Sequence, residues 1–356
     1  MDFNDTPEEA AFRKEVRTWL DANATRKSDD SKSFRARNDD PGLLAKAKEW
    51  QDKKAKAGYA RMTWPKEFGG RGASPILQVI YQQEEADYLV PLGFFDIGLG
   101  MCIPTMMAYA KPEQLARYVK PALHGQEVWC QLFSEPAAGS DVAGIRTRAE
   151  RDGDDWIING QKVWTSGAHY SDFGILLVRT NPKVPKHKGL TMFIVNMKAP
   201  GVTVKGIKQM SGGSDFNEVF FDGVRVNDSH RLGAVGDGWK VALTTLGFER
   251  DHSGDGGGGG SRVGGSWRQI IATARAMGVT SDPVMRQELA KAYSHFRVEG
   301  FVNRRASDMR RAGQPAGPEG SLGKLMWTEG MTYVSELMSK ILGATLIADT
   351  GEWGTY

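Results

Sequence analysis

The sequence predicts an α+β protein: an all-α N-terminal domain, a central β-barrel or β-sandwich domain, and a C-terminal helical bundle. Three observations predict this. Apolar residues recur at helical spacing through the first third. Short β-like runs separated by Gly, Pro, Asn and Lys fill the middle, and long periodic segments return after Gly238. The corresponding domains are 1–128, 129–236 and 237–356. A length of 356 residues suits two or three such units.

The first helix has a sequence-level start signal. Thr6-Pro7-Glu8-Glu9 reads as a capping box with proline at the first helical position. Phe12, Val16, Trp19 and Leu20 then share one face. Residues 28–41 are polar and read as a loop. A second helix is expected over 43–56, stopped by Gly58. Further helices are expected over 76–88 and 112–123, and the Pro- and Gly-containing stretch 63–72 reads as a loop.

From Trp129 the periodicity changes. The runs 156–158 and 162–164 flank Asn159-Gly160, which predicts a two-residue hairpin. Strands are expected at 175–178, 190–195, 202–205 and 218–221, making a compact domain of ordinary size. The basic stretch 183–188 reads as a solvated hairpin tip. After Gly238 a helix is expected over 239–249, followed by long helices over 286–308 and 322–342, as in an antiparallel bundle. Residues 254–261, with Gly256 to Gly260 unbroken, do not suit a helix, because each glycine costs about 1 kcal/mol relative to alanine. This run lacks the Gly-Lys-Ser/Thr ending of a phosphate loop. It reads as a connector, or as a side-chain-free wall that makes room for a bulky acyl group.

Composition narrows the function classes. Apolar residues make up 40% and charged residues 25%, as in ordinary globular proteins. A formal charge of +3 is too small to argue for nucleic acid. Cys102 and Cys130 form neither a disulfide framework nor a metal spacing, so buried packing is expected. The six histidines are scattered, and no metal site is expected. An acidic N-terminus without an apolar stretch is unlike a signal peptide, and no run of about 18 apolar residues suggests a membrane span. A cytoplasmic location is the default expectation.

Two segments carry the chemistry. In 131–142, Gly139 permits close approach of the backbone to a ligand, while Ser134 and Ser140 add hydroxyl donors. In 160–166, Trp164 offers a flat apolar face to a ring system. Gln131-Leu-Phe-Ser-Glu-Pro-Ala-Ala-Gly-Ser-Asp-Val142 resembles the first signature of the acyl-CoA dehydrogenases. Gly160-Gln-Lys-Val-Trp-Thr-Ser166 resembles their second flavin-contact segment. The likeness spans nearly the whole chain, through Trp64-Pro-Lys-Glu-Phe-Gly-Gly70, Lys188-Gly-Leu-Thr-Met-Phe-Ile-Val195 and Asn217-Glu-Val-Phe-Phe-Asp222.

The resemblance implies FAD as cofactor, bound by Gln131, Phe133, Ser134, Gly139, Ser140, Trp164, Thr165 and Ser166. Ser140 would also bond the pantetheine arm of an acyl-CoA substrate. Oxidising such a thioester at Cα–Cβ needs a hydride acceptor, which no amino acid supplies, and a base for the Cα proton. Leu246-Gly-Phe-Glu249-Arg250 resembles the segment bearing the catalytic glutamate in one branch of the family, so Glu249 is the expected base and Arg250 an expected substrate contact. Other branches place the glutamate nearer the C-terminus, so the base is either Glu249 or lies beyond Tyr356. The C-terminal domain is expected to be incomplete there. Glu135 and Asp141 are expected to be structural, through capping of backbone amides and initiation of a turn.

Two departures bear on assembly. Homotetrameric relatives carry Arg-x-x-Phe-Gly after the first C-terminal helix, where this chain has Ala274-Arg-Ala-Met-Gly-Val-Thr-Ser-Asp-Pro283. The later Gln-x-x-Gly-Gly-x-Gly segment is replaced by Lys340-Ile-Leu-Gly-Ala-Thr345. A tetramer with an unlike partner, of the sterol side-chain type, is therefore expected. The leading function is dehydrogenation of an acyl-CoA to the trans-2-enoyl-CoA with an electron-transfer flavoprotein as electron acceptor. The alternatives are an acyl-CoA or nitroalkane oxidase on the same fold, or a catalytically silent subunit.

Overall fold

The computed structural model describes residues 5–27, 41–210, 212–254, 266–311 and 319–347. They form two compact units, Met1–Glu249 and Arg250–Tyr356. No helix among the described residues is long and apolar enough to cross a membrane.

The first unit opens with α1 (Pro7–Asn23), whose start is the expected capping box. The Glu9 amide donates to Thr6 Oγ1 at 3.2 Å, and the Thr6 amide to the Glu9 carboxylate at 2.9 Å. Val16 and Leu20 are buried against Trp50, Tyr59, Met62 and Tyr81. These come from α2 (Pro41–Lys56), α3 (Pro75–Glu85) and the loop between them. The expected helix over 76–88 is too long, because α3 ends at Glu85. Tyr88 and Leu89 form β2, which pairs with β1 (Thr25–Arg26), and the Tyr88 hydroxyl donates to Asp21 at 2.6 Å. This long-range pairing overrides helical periodicity. A π-helical turn, Gly98–Cys102, leads into α4 (Ile103–Tyr109), and α5 (Pro112–Leu123) follows.

The sheet comprises β3 (Trp129–Leu132), β4 (Arg148–Asp152), β5 (Asp155–Ser166), β6 (Phe173–Arg179), β7 (Leu190–Asn196), β8 (Val202–Ile207), β9 (Phe216–Asn227) and β10 (Arg231–Leu232). Its order is β10-β7-β6-β4-β5-β9-β8, with β3 running parallel beside β6. Alternation divides the sheet between two cores. Ile175, Leu177, Met192 and Ile194 face the helical side, while Leu176, Val178, Phe193 and Val195 face the opposite side. Cys102 and Cys130 are both fully buried, with Cys102 Sγ 3.5 Å from the Cys130 carbonyl.

The hairpin expected at Asn159-Gly160 does not form. β5 runs unbroken from Asp155 to Ser166, with a register shift against β9 between Ile158 and Gly160. Gly160 has φ of 152°, and a Cβ there would lie 2.4 Å from Thr147 Oγ1. Glycine is needed for close approach of a neighbouring strand, which is its other common use in β structure. The Asn159 side chain accepts the Gly223 amide at 2.9 Å. The turn instead lies at Gly153-Asp154, between the paired residues Asp152 and Asp155, where Gly153 has φ of 60°.

Helix α6 (Gly238–Gly254) is longer than the expected 239–249. Gly254 therefore belongs to the helix, a terminal position at which glycine costs little. Gly256 to Gly260 lie outside the described residues.

The second unit contains α7 (Trp267–Ala276), α8 (Pro283–Arg311) and α9 (Glu319–Leu342). The last two are antiparallel, joined by His295 Nε2 to the Met326 carbonyl at 2.9 Å and by the Tyr333 hydroxyl to the Glu288 carbonyl at 3.0 Å. Ile270, Ala274, Leu289, Val334, Leu337 and Ile341 contribute to its core. α8 begins three residues before the expected start because Asp282 accepts the amides of Val284 and Met285.

Candidate functional site

The first candidate segment leaves the end of β3. Glu135 and Ala138 exchange both backbone hydrogen bonds at 3.0 Å, turning the chain sharply and presenting Gly139 and Ser140 at the surface. A Cβ placed on Gly139 would meet nothing within 4 Å, so the space above this backbone is open. Asp141 starts the short 3-10 turn Val142–Gly144 with its carbonyl, which accepts the Gly144 amide at 2.8 Å. Its carboxylate pairs with Lys186.

The second segment is the end of β5, and it is stitched to the first. The Val163 amide donates to the Ser134 carbonyl at 2.9 Å. Lys162 Nζ donates to the Phe133 carbonyl at 2.9 Å and to Glu135 Oε1 at 2.8 Å. Glu135 also accepts the amides of Arg146 at 2.6 Å and Thr147 at 3.0 Å, the structural task expected of it. Burial pushes the Lys162 ammonium down to about 8 although Glu135 pulls it the other way. Burial opposes ionisation of Glu135 too, but Lys162 and the amides hold its carboxyl below the ordinary value.

Just past this pair the register of β5 shifts again, between Lys162 and Thr165. Trp164 sits at the shift with φ of 60°, the one non-glycine residue with positive φ among those described. Its side chain is 59% exposed, edge-on to Phe216 at 6.1 Å. A large aromatic residue held in a left-handed conformation and turned outward is a costly arrangement that a stability argument alone does not explain. Behind it, Asn217 Nδ2 donates to the Thr165 carbonyl at 3.0 Å. Thr165 Oγ1 is buried without a partner.

Phe133 and Ser134, in the segment that also carries Gln131, Gly139 and Ser140, are thus tied directly to Lys162 and Val163, which precede Trp164, Thr165 and Ser166. These residues fit a flavin. An outward indole offers a stacking face, an unpartnered buried hydroxyl offers a hydrogen bond, and the glycine backbone leaves open space. Glu249 stands on α6, exposed, one turn after Thr245. That helix is fixed to α4 by Thr245 Oγ1 to Thr105 Oγ1 at 3.0 Å and by Thr244 to the Tyr109 hydroxyl at 2.9 Å. Arg250 follows on α6, but its side chain lies outside the described residues. Sequence reasoning missed Lys162 and Asn217. Lys162 had a signal: it falls in period-two register with Trp156 and Ile158 on the inward face.

Trp164→Gly tests the strain. Glycine adopts φ of 60° freely, so relief of about 1 kcal/mol offsets the lost contact with Phe216. The flavin-free variant is expected to unfold within a few degrees of the wild type on heating, while flavin retained through gel filtration falls. A large loss of thermal stability with full flavin retention would contradict this.

Three family models match in order along the chain. They are the acyl-CoA dehydrogenase N-terminal domain over residues 6–126, the middle domain over 130–224 and the C-terminal domain over 236–356. The chain is similar to acyl-CoA dehydrogenase IpdE1 of Mycobacterium tuberculosis, 34% identical over 338 residues, covering 93% of this chain and 85% of that protein. It is also similar to acyl-CoA dehydrogenase FadE26 of the same organism, 30% identical, covering 95% and 85% of the two chains. Among solved structures, the Tcur3481-Tcur3483 steroid ACAD superposes with a TM-score of 0.80 at 28% identity, over 99% of this chain and 88% of that one. The ChsE4-ChsE5 complex from Mycobacterium tuberculosis gives 0.74 at 27%, over 98% and 88%. The paired flavin segments, the α–β–α order and these matches together make this chain a member of the acyl-CoA dehydrogenase family, FAD-dependent oxidoreductases.

Proposed function

We propose that this protein oxidises an acyl-CoA thioester to the trans-2-enoyl-CoA, passing the electrons to an electron-transfer flavoprotein. The observation that carries this reading is the stitched pair of segments, one leaving open space above the Gly139 backbone and the other turning Trp164 outward. Bound FAD supplies the hydride acceptor, which no side chain can be. Gln131, Phe133, Ser134, Gly139, Ser140, Trp164, Thr165 and Ser166 hold it. Ser140 also holds the pantetheine arm, Glu249 removes the Cα proton, and Arg250 orients the substrate.

We further infer that the working assembly is a tetramer containing an unlike chain. Support comes from the sequence Ala274–Pro283, which lacks the Arg-x-x-Phe-Gly expected of a self-sufficient homotetramer. Two similar structures are themselves described by paired names, Tcur3481-Tcur3483 and ChsE4-ChsE5. The first of these is called a steroid enzyme, which makes a bulky ring-bearing acyl group the first substrate class to try.

The test is to purify the chain alone and with candidate partner chains, record the visible spectrum, and add a panel of acyl-CoAs without oxygen. The expected result is a yellow protein, complete only with its partner, that bleaches with a ring-bearing acyl-CoA and is reoxidised by an electron-transfer flavoprotein. Peroxide release in air would favour an oxidase instead. A colourless protein under every pairing would end the reading.

A further inference from the structure

Along β9 every second side chain is buried, and Val219 and Phe221 fill two of these positions with apolar groups. The next inward position, toward the start of the strand, holds Asn217 at 0% exposure. Stability alone would favour another valine or phenylalanine there, because a buried amide gives up its water and regains little beyond what it lost. The carboxamide is nevertheless engaged at both ends. Nδ2 donates to the Thr165 carbonyl at 3.0 Å and to the Asp215 carbonyl at 3.3 Å. Carbonyls only accept, so Nδ2 faces them and Oδ1 faces the third neighbour, His169 Nδ1, at 3.2 Å. An amide oxygen accepts, so His169 carries a proton on Nδ1.

These contacts converge on the end of β5. Between the pairs Lys162–Val219 and Thr165–Asn217, β5 has two residues, Val163 and Trp164, where β9 has only Glu218. That is a β-bulge, a device that re-aims a side chain and interrupts regular pairing. The bulge ends at Thr165, whose carbonyl Asn217 holds. The Gly167 amide donates to the same Asp215 carbonyl at 3.0 Å, so Ser166 is bracketed by a tie on each side. The peptide between Thr165 and Ser166 is planar, so holding its carbonyl also fixes the direction of its amide. His169 adds a third tie from the short turn Ala168–Tyr170. It is exposed, with its ring edge-on to Tyr170 at 4.7 Å.

We propose that Asn217 is a positioning residue for the flavin. Its carboxamide, steadied by His169, holds the bulge in the arrangement that presents Trp164, Thr165 and Ser166 together. The inference rests on the assignment of those three residues to the flavin site. Asn217 acts through the backbone it holds and has no need to touch the cofactor. An amide that only stabilised the sheet would change how readily the sheet unfolds, and nothing about a flavin already bound. A positioning amide changes how tightly the flavin binds and how it is poised once bound.

The test compares the wild-type assembly with Asn217→Leu, which keeps the size of the side chain, and with His169→Phe, which keeps a ring against Tyr170 at an exposed position where folding tolerates it. Asn159→Leu is the control, because it removes a side-chain hydrogen bond between the same two strands but away from this segment. In the flavin-free protein, hydrogen exchange over residues 164–170 is expected to quicken in Asn217→Leu and, to a smaller extent, in His169→Phe. The flavin dissociation constant is expected to rise about tenfold in Asn217→Leu and about threefold in His169→Phe, as for the loss of buried hydrogen bonds. With flavin saturating, its fluorescence and midpoint potential shift, and kcat for thioester oxidation falls while KM stays. Asn159→Leu lowers thermal stability and moves none of these. The binding and spectral readouts need no substrate, so they decide even if no thioester is oxidised. Should Asn217→Leu fail to fold, His169→Phe decides alone. Variants that merely unfold at lower temperature, with flavin affinity, fluorescence and potential as in the wild type, overturn the proposal. If Trp164→Gly loses flavin in the same assay, the flavin-site assignment survives that failure. If Trp164→Gly also keeps its flavin, the assignment itself fails and the proposal with it.

Discussion

Glu249→Gln is expected to slow substrate-dependent flavin bleaching by about 100- to 10,000-fold while the flavin content stays at the wild-type level. The amide keeps the size and hydrogen-bonding shape of the side chain but accepts no proton. The helix beneath it should not move, because Thr244 and Thr245 anchor α6 to Tyr109 and Thr105 of α4. The residues proposed to hold the flavin lie on other elements, so binding and chemistry are expected to separate in this variant. Exchange of the substrate Cα proton with deuterated solvent is a second readout and should fall with turnover. Unchanged bleaching and unchanged exchange would remove Glu249 from the mechanism.

Lys162→Met is expected to destabilise the protein by about 3–5 kcal/mol, measured by denaturant unfolding near pH 7. At that pH the ammonium, titrating at about 8, is mostly charged and paired. Replacing it leaves Glu135 buried at 7% exposure with a negative charge and no cation to answer it. It also frees the Phe133 carbonyl, so the first flavin segment loses one of its ties to β5. Flavin retention should fall with stability. The double variant with Glu135→Gln should recover part of the loss, since the uncompensated charge is then gone. A single variant as stable as the wild type would show that the pair contributes nothing to this corner of the sheet.

Local signals were legible and non-local ones were not. The start of α1 could be read because Thr6, Pro7 and Glu9 carry its cap within four residues. The amphipathic α5 was read at its observed limits. The flavin segments stood out through a resemblance that spans the chain. Asn159-Gly160 misled because the same dipeptide serves a tight turn or a close strand approach. Contact with Thr147, twelve or more residues away, decides between them. The truncation of α3 was hidden for a similar reason, since β2 exists only through its pairing with β1. The outward Trp164 depends on a register shift against β9, and no local pattern encodes a register.

The two cysteines carry a last consequence. Burial pushes both thiols up, Cys130 to about 12, and leaves no sulfur surface for a reagent to reach. Oxidants and electrophiles act on thiolates, so near neutrality they find neither the ionised form nor a path of approach. Thiol chemistry in this protein therefore waits on the sheet coming apart, and alkylation would keep time with unfolding rather than with catalysis.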